Sequence, residues 1–329
     1  MRLLFASGVF VFHAVVLTNL WPGSAGEVHL ARLAELSIQG FFIISGALVY
    51  GSFLNSKSVG DYANKRVRRL YPAYAVIILI PAVISLIMTG QFSDILRYTG
   101  ANLVFLNFLE PNLPGLFDGH RHSEVNGALW TLKIEVMFYI VLPILAWIMT
   151  KLGRLKWVLL ALIYVFAELW RGLIPALEVP YAAQIARQLP GQMSFFAVGI
   201  LIWSFRDIVK RHALLLGLLG VLLVPVSYLP NLDVIRPLAL GALITGIAYA
   251  PGVQLNAARW GDISYGVYIT HFPIINGLIA LGLFTSNPAL GFALTGILVV
   301  VASLFLWKFV ERSFLRKDSH YRRSEKGAV

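Results

Sequence analysis

Residues 1–20, MRLLFASGVFVFHAVVLTNL, put two groups able to do chemistry into an otherwise apolar stretch, Arg2 and His13. Eleven residues at about 100° each make three full turns plus roughly 20°, so a helix sends both side chains from one face, about 16 Å apart along its axis. A guanidinium binds carboxylate or phosphate, and a neutral imidazole can take the proton of a hydroxyl. An ionisable side chain at mid-bilayer costs on the order of 2.5–3.5 kcal/mol on insertion scales, so one that is kept faces a cavity or a partner.

Three further stretches carry comparable groups. In DYANKRVRRLYP (61–72), Arg66 and Arg69 stand at i and i+3 of a helix and form a two-pronged cation suited to phosphate. The same basic run also suits a topology signal held by anionic lipid. Pro72 is expected in the first turn of the helix that enters the membrane. In NGALWTLKIEVMFY (126–139), Thr131, Glu135 and Tyr139 recur at i, i+4 and i+8, lining one stripe with a hydroxyl, a carboxylate and a phenol. That carboxylate needs a partner, for which His13 or an Arg of another helix is available; Lys133 points from another face. In ISYGVYITHFPI (263–274), Ser264, Tyr268 and His271 follow at i, i+4 and i+7. His271 suits either a substrate contact or a hydrogen bond between helices, and Glu311, past the last apolar run, suits pairing with an Arg.

The elements that must position these groups follow from composition. The chain has 329 residues, 58% hydrophobic and 13% charged, with no Cys, and a mean hydropathy of +0.75. Soluble domains carry about a quarter charged residues, so this is an all-α polytopic membrane protein. Without Cys there is no disulfide framework, thiolate nucleophile or zinc-thiolate site. Apolar windows predict ten spans, near 3–20, 35–54, 72–90, 128–149, 157–173, 191–205, 213–229, 235–250, 264–284 and 289–309. With both ends cytoplasmic, 20 of the 27 Lys and Arg fall inside, Arg259 and a basic tail at 310–329 among them. The net charge of +11 is thus mostly orientation rather than a nucleic-acid surface. The longest polar gap, 91–127, is too short for a second core. Its Asp118, His120, Arg121, His122 and Glu124 make either a solvated outer loop or a lid over an acceptor site. We therefore expect one transmembrane domain over 1–329. Gly40, Ser45 and Gly46 are small enough to let a neighbouring helix approach closely.

These pieces resemble, in order along nearly the whole chain, the acyltransferase 3 family of integral membrane O-acyltransferases. Arg2 and His13 match its Arg, ten residues, His pattern; RVRRLYP (66–72) matches its RxxR with a Leu-aromatic-Pro stop; FFIISGAL (41–48), NGALWTLKIEVMFY and ISYGVYITHFPI are similar to family segments. The resemblance implies that His13 is catalytic, that Arg2, Arg66 and Arg69 contact acyl-CoA on the cytosolic side, and that Thr131 and Glu135 stand at a hydroxyl-xxx-carboxylate motif. The chain departs from the pattern in two ways. Relatives often have several residues before the Arg, and the common Ser of the motif is Thr131. No fused extracytoplasmic esterase-like domain is expected.

The function expected is transfer of an acyl group, acetyl from acetyl-CoA first of all, to a carbohydrate hydroxyl at the outer face of the cell inner membrane. Acyl-CoA is then a donor substrate, and no bound cofactor or metal is called for. Glu135 would orient His13 or stabilise its charged form, while Thr131, Tyr139, Ser264, Tyr268 and His271 would support the site or face the acceptor. The competing class is a proton-coupled exporter in which His13, Glu135 and His271 relay protons.

Overall fold

The computed structural model describes residues 1–251, 261–316 and 319, and every described element is helical. Arg259, Lys317, Arg322, Arg323 and Lys326 of the inside-positive set lie outside the described residues. The helices are α1 (Arg2–Leu17), α2 (Ala25–Leu54), α3 (Val59–Thr89), α4 (Phe92–Leu103), α5 (Trp130–Leu152), α6 (Lys156–Leu173), α7 (Ala182–Ala186), α8 (Leu189–Ser204), α9 (Arg206–Arg211), α10 (Ala213–Val226), α11 (Arg236–Tyr249), α12 (Ser264–Ala280), α13 (Leu283–Ser286) and α14 (Pro288–Phe305). A π-helical stretch, Leu306–Glu311, continues α14 into α15 (Arg312–Phe314). Each expected span falls on a helix. Among the described residues, five helical segments are long and apolar enough to cross a bilayer: Ala25–Leu54, Val59–Thr89, Gly127–Leu177, Ala182–Ser204 and Pro288–Phe314. The chain is an all-α membrane protein.

Two helices begin well before their apolar windows, because polar caps start them. Ser24 Oγ accepts from the Glu27 N–H (3.2 Å) while the Glu27 carboxylate accepts from the Gly23 N–H (2.7 Å). Ser58 and Asp61 repeat the pattern, with Ser58 Oγ accepting from the Asp61 N–H (3.1 Å) and Asp61 accepting from the Lys57 N–H (3.1 Å). Such reciprocal caps satisfy backbone donors that the first helical turn leaves over. Pro72 therefore does not open its helix, as the sequence reading had it. It lies inside α3, so the basic segment and the apolar span are one continuous rod.

The chain divides into two compact units. The first comprises Met1, Leu36–Tyr62 and Ile134–Gln254. Within it α6 packs on α8, α8 on α11, and α10 on α11. α2 and α8 meet backbone to backbone. A Cβ on Gly46 would sit 2.4 Å from the Phe196 carbonyl oxygen, and one on Gly199 would sit 2.1 Å from that of Ile43. The small-residue reading of Gly46 is thus met by a real close approach. Phe138 stacks on Phe196 beside it.

The second unit comprises Arg2–Glu35, Ala63–Lys133 and Leu255–Val329. In it α1 packs on α12, and α12 on α14. The segment between α4 and α5, read from sequence as loop or lid, is tied down along its length. Ser85 Oγ donates to the Pro114 carbonyl (2.7 Å), Asn102 Nδ2 to that of Glu110 (2.8 Å), and the Val125 N–H to that of Pro111 (2.9 Å). Arg121 donates to the Val16 carbonyl (3.2 Å) and pairs with Glu27 (2.9 Å), fastening this strap over the end of α1.

Candidate active site

Arg2 and His13 both project from α1 into the second unit, and they meet opposite kinds of surroundings. His13 Nδ1 lies 2.8 Å from His271 Nε2 of α12, with the rings stacked at 5.0 Å and 23°. The second histidine is fully buried, and its Nδ1 is 3.0 Å from the Val267 carbonyl oxygen one turn back. Phe12 and Phe272 wall His13, each with its ring centroid 5.2 Å away, and Phe10 meets His271 edge-on at 6.0 Å. One turn along α12, Tyr268 shares a 2.6 Å hydroxyl–hydroxyl bond with Thr131, and its O–H also reaches the Ala128 carbonyl (3.1 Å). Asn126 holds this corner together. Its side chain donates to the Ile269 carbonyl (2.8 Å) and accepts from the Ala128 N–H (3.3 Å). Above the pair, Asn276 meets His120 Nδ1 at 3.1 Å and donates to the His122 carbonyl (3.3 Å), so the strap is fixed to α12. His122 is within electrostatic reach of His13.

At the other end of α1 the chemistry is ionic. Arg2 pairs with Asp262 at 3.3 Å; Arg69 pairs with the same carboxylate at 2.7 Å and with Glu311. Arg69 is 5% exposed and Glu311 is fully buried, and the guanidinium lies 5.5 Å from the Tyr265 ring and 6.0 Å from that of Trp307. Glu311 reaches Arg69 from the end of the π-helical stretch, where an extra residue per turn rotates the side chains that follow. Its pairing with an Arg is as the sequence reading held. Ser264 donates to Asp262. Burial alone would raise the Asp262 carboxyl, but Arg69, Arg2 and the Ser264 hydrogen bonds outweigh it and hold it down at about 2. Gly261 beside it has φ +96, a backbone angle that favours glycine, and a Cβ there would strike the Trp307 indole nitrogen at 2.1 Å. Arg66, one turn before Arg69, is half-buried.

The remaining site residues belong to the first unit. Glu135 accepts from Ser45 Oγ (2.9 Å) and from the Tyr139 O–H (2.5 Å), so the stripe read from sequence is hydrogen-bonded along its own helix. Of the groups singled out from sequence, the second unit thus brings together His13 with His271, Thr131 with Tyr268, and Arg2 with Arg69. His13 hydrogen-bonds an imidazole, a pairing the sequence reading did not name.

Asp262, Asn126 and Asn276 were missed. Asp262 had a signal: arginines at the ends of apolar spans require a counter-charge, and the only acid abutting the ISYGVYITHFPI stretch is the residue before it. The asparagines had none: Asn126 at a helix start reads as a cap, and Asn276 is a lone amide inside the apolar α12.

The apolar helical chain sets a histidine pair one turn from two hydroxyls, with the ion-paired Arg2 and Arg69 at the other end of α1. It belongs to the acyltransferase 3 family, whose model, described as an acyltransferase domain, matches residues 1–308. The chain is 26% identical to an O-acetyl transferase of Shigella phage Sf6, over 85% of this chain and 84% of that one. It is also 26% identical to Nodulation protein 10 of Rhizobium leguminosarum bv. viciae, over 74% of this chain and 72% of that protein. The peptidoglycan O-acetyltransferase OatA of Listeria monocytogenes is 23% identical, over 74% of this chain but 45% of its own length. No solved structure matches. The protein is an acyltransferase, and its relatives' names mark O-acyl transfer.

Proposed function

We propose that the protein takes an acyl group, acetyl in the first instance, from cytosolic acyl-CoA and places it on a carbohydrate hydroxyl at the outer face of the cell inner membrane, with ten crossings and both ends inside. The observation that carries this reading is the His13–His271 pair in its apolar wall, one turn from the Thr131–Tyr268 hydroxyls. His13 removes the proton of the acceptor hydroxyl as its oxygen attacks the thioester carbonyl. The C–O bond forms, the C–S bond breaks, and the proton passes from the imidazolium to the departing thiolate. A two-step route, with the acyl group carried briefly on His13, gives the same products.

The donor's phosphates are assigned to the arginine end of α1. Arg2 and Arg69 keep their carboxylate contacts and add positive charge at this end, and Arg66, the more accessible of the RxxR pair, is the guanidinium offered for direct contact with phosphate. Glu135 is assigned the role of stabilising a charged imidazole, by analogy with carboxylate–histidine pairs, with Tyr139 and Ser45 holding it. The acceptor approaches beneath the strap, near Thr131, Tyr268 and His122; Ser264 steadies Asp262. The relatives named for O-acetyl transfer and for peptidoglycan support a carbohydrate acceptor, and family membership tells against the exporter.

Purified protein given labelled acetyl-CoA should release free thiol only when acceptor glycan is present, and His13→Ala should abolish release. Retention of label on His13 without acceptor selects the two-step route. Surface glycans of cells lacking the protein should lose one acetyl increment by mass spectrometry. Unchanged glycans together with no thiol release from the pure protein would sink the reading.

A further inference from the structure

We infer that His271 is a positioning residue that fixes the tautomer of His13, leaving Nε2 of His13 as the one nitrogen that takes and returns the proton. The inference rests on the reading of His13 as base, and it adds which atom acts and what holds it. The hydrogen positions follow from the acceptors. The Val267 carbonyl oxygen can only accept, so His271 Nδ1, 3.0 Å away, carries the hydrogen. A neutral imidazole has one N–H, so His271 Nε2 bears the lone pair, and the 2.8 Å contact is a hydrogen bond donated by His13 Nδ1. His13 in turn keeps its lone pair on Nε2, on the far side of the ring from His271.

The other arrangements fail one by one. Reversing both tautomers points a lone pair of His271 at a carbonyl oxygen in a fully buried site, which disfavours that form roughly ten-fold or more. Protonating both rings sets N–H against N–H at 2.8 Å, between phenyl walls that solvate neither charge. The pair therefore holds at most one extra proton. Among the described residues the hydrogen bond of His13 is at Nδ1, so Nε2 is the nitrogen offered to substrate.

A neutral orienting partner suits this depth. A carboxylate in the same place would add a charge to bury, whereas His271 leaves the resting pair uncharged. When Nε2 of His13 takes the hydroxyl proton, the positive charge spreads over two rings, because the shared proton can move toward His271 Nε2 while its Nδ1–H stays on Val267. The hydroxyl oxygen bonds to the acyl carbon, the thiolate leaves, and Nε2–H protonates its sulfur, restoring the starting tautomers.

The test reads the tautomer directly. The full chain, labelled with nitrogen-15 histidine and placed in phospholipid nanodiscs, should show His13 with a protonated Nδ1 and an unprotonated Nε2, its signals assigned by their loss in His13→Gln. In His271→Leu the His13 ring should turn to a mixture or to the Nε2–H form, and kcat should fall about 100-fold with KM within about two-fold. His271→Gln, whose amide oxygen can accept the same bond, should recover at least about ten-fold of that loss. An Nε2–H tautomer in the wild type overturns the proposal whatever the activity, even if His271→Leu does not fold. An unaltered His13 tautomer in a folded His271→Leu overturns it too. The expected wild-type tautomer with full activity in His13→Gln supports the positioning geometry and overturns only the assignment of His13 as base.

Discussion

The two ends of α1 bury ionisable groups by opposite means. At Arg2, charge is met by charge: two guanidiniums face Asp262 and Glu311, and the aromatic rings of Tyr265 and Trp307 close over Arg69. At His13, two imidazoles and a backbone carbonyl form a hydrogen-bonded chain between phenyl rings. The ionic end resists change, because removing Arg69 strands the buried Glu311. The imidazole end can gain or lose a proton without stranding anything. A helix that places both on one face carries an ion-paired anchor and a histidine pair on the same rod.

That contrast breaks most easily at the reactive end. His13→Ala should lower acyl transfer by about 1,000-fold or more, within the usual range for loss of a general base, while the thermal unfolding midpoint shifts by only a few degrees. An active His13→Ala protein with a collapsed midpoint would make the histidine end structural and the comparison void. At the anchor the signs reverse. Arg69→Ala leaves Glu311 and Asp262 facing one another in a buried site, and should cost about 3–5 kcal/mol of stability, read as a large drop in unfolding midpoint and in folded yield. Arg69→Lys keeps a charge but not the fork that serves two carboxylates, and should fall between.

The anchor also has a pH signature. Asp262 sits at about 2 against an ordinary 3.8, so its pairing contributes on the order of 2 kcal/mol that is fully present above about pH 4 and is lost as pH falls toward 2. Asp262→Asn should be less stable than wild type at pH 7, and the gap should narrow as the buffer is taken below pH 4. A gap that stays constant with pH would mean that the carboxylate is held by packing rather than by its arginines.

Much of this was legible in the sequence, for physical reasons. Arg2 and His13 share a face because eleven residues nearly close three turns, and Thr131, Glu135, Tyr139 and Tyr268, His271 follow from the same period. Helix starts were misread where short polar caps lie outside the apolar window, as at Ser58 and Asp61, so Pro72 was taken for a beginning. The amphipathic α4 was missed within a gap judged by polarity alone. Partners were least legible. Nothing local tells His13 to choose His271 over Glu135, since that choice is made by how α1 packs on α12. Asp262 lay one residue outside the motif that drew attention.

The smallest effect sharpens the comparison most, because it falls between the two regimes. Thr131 and Tyr268 form a buried hydroxyl pair one turn from the imidazoles, neither ionic nor proton-carrying. Replacing Thr131 by Val keeps the shape, removes one hydroxyl, and leaves the Tyr268 O–H its second acceptor at Ala128. The loss should be about 1 kcal/mol, seen as a several-fold lower kcat with little change in unfolding midpoint, and Thr131→Ser should restore it. If Thr131→Val instead lowers the midpoint as Arg69→Ala does and Thr131→Ser does not rescue it, the hydroxyl pair belongs with the anchor, and the reactive region shrinks to the two histidines. If kcat drops by 100-fold or more, the hydroxyls touch the substrate, and the reactive region extends a full turn along α12.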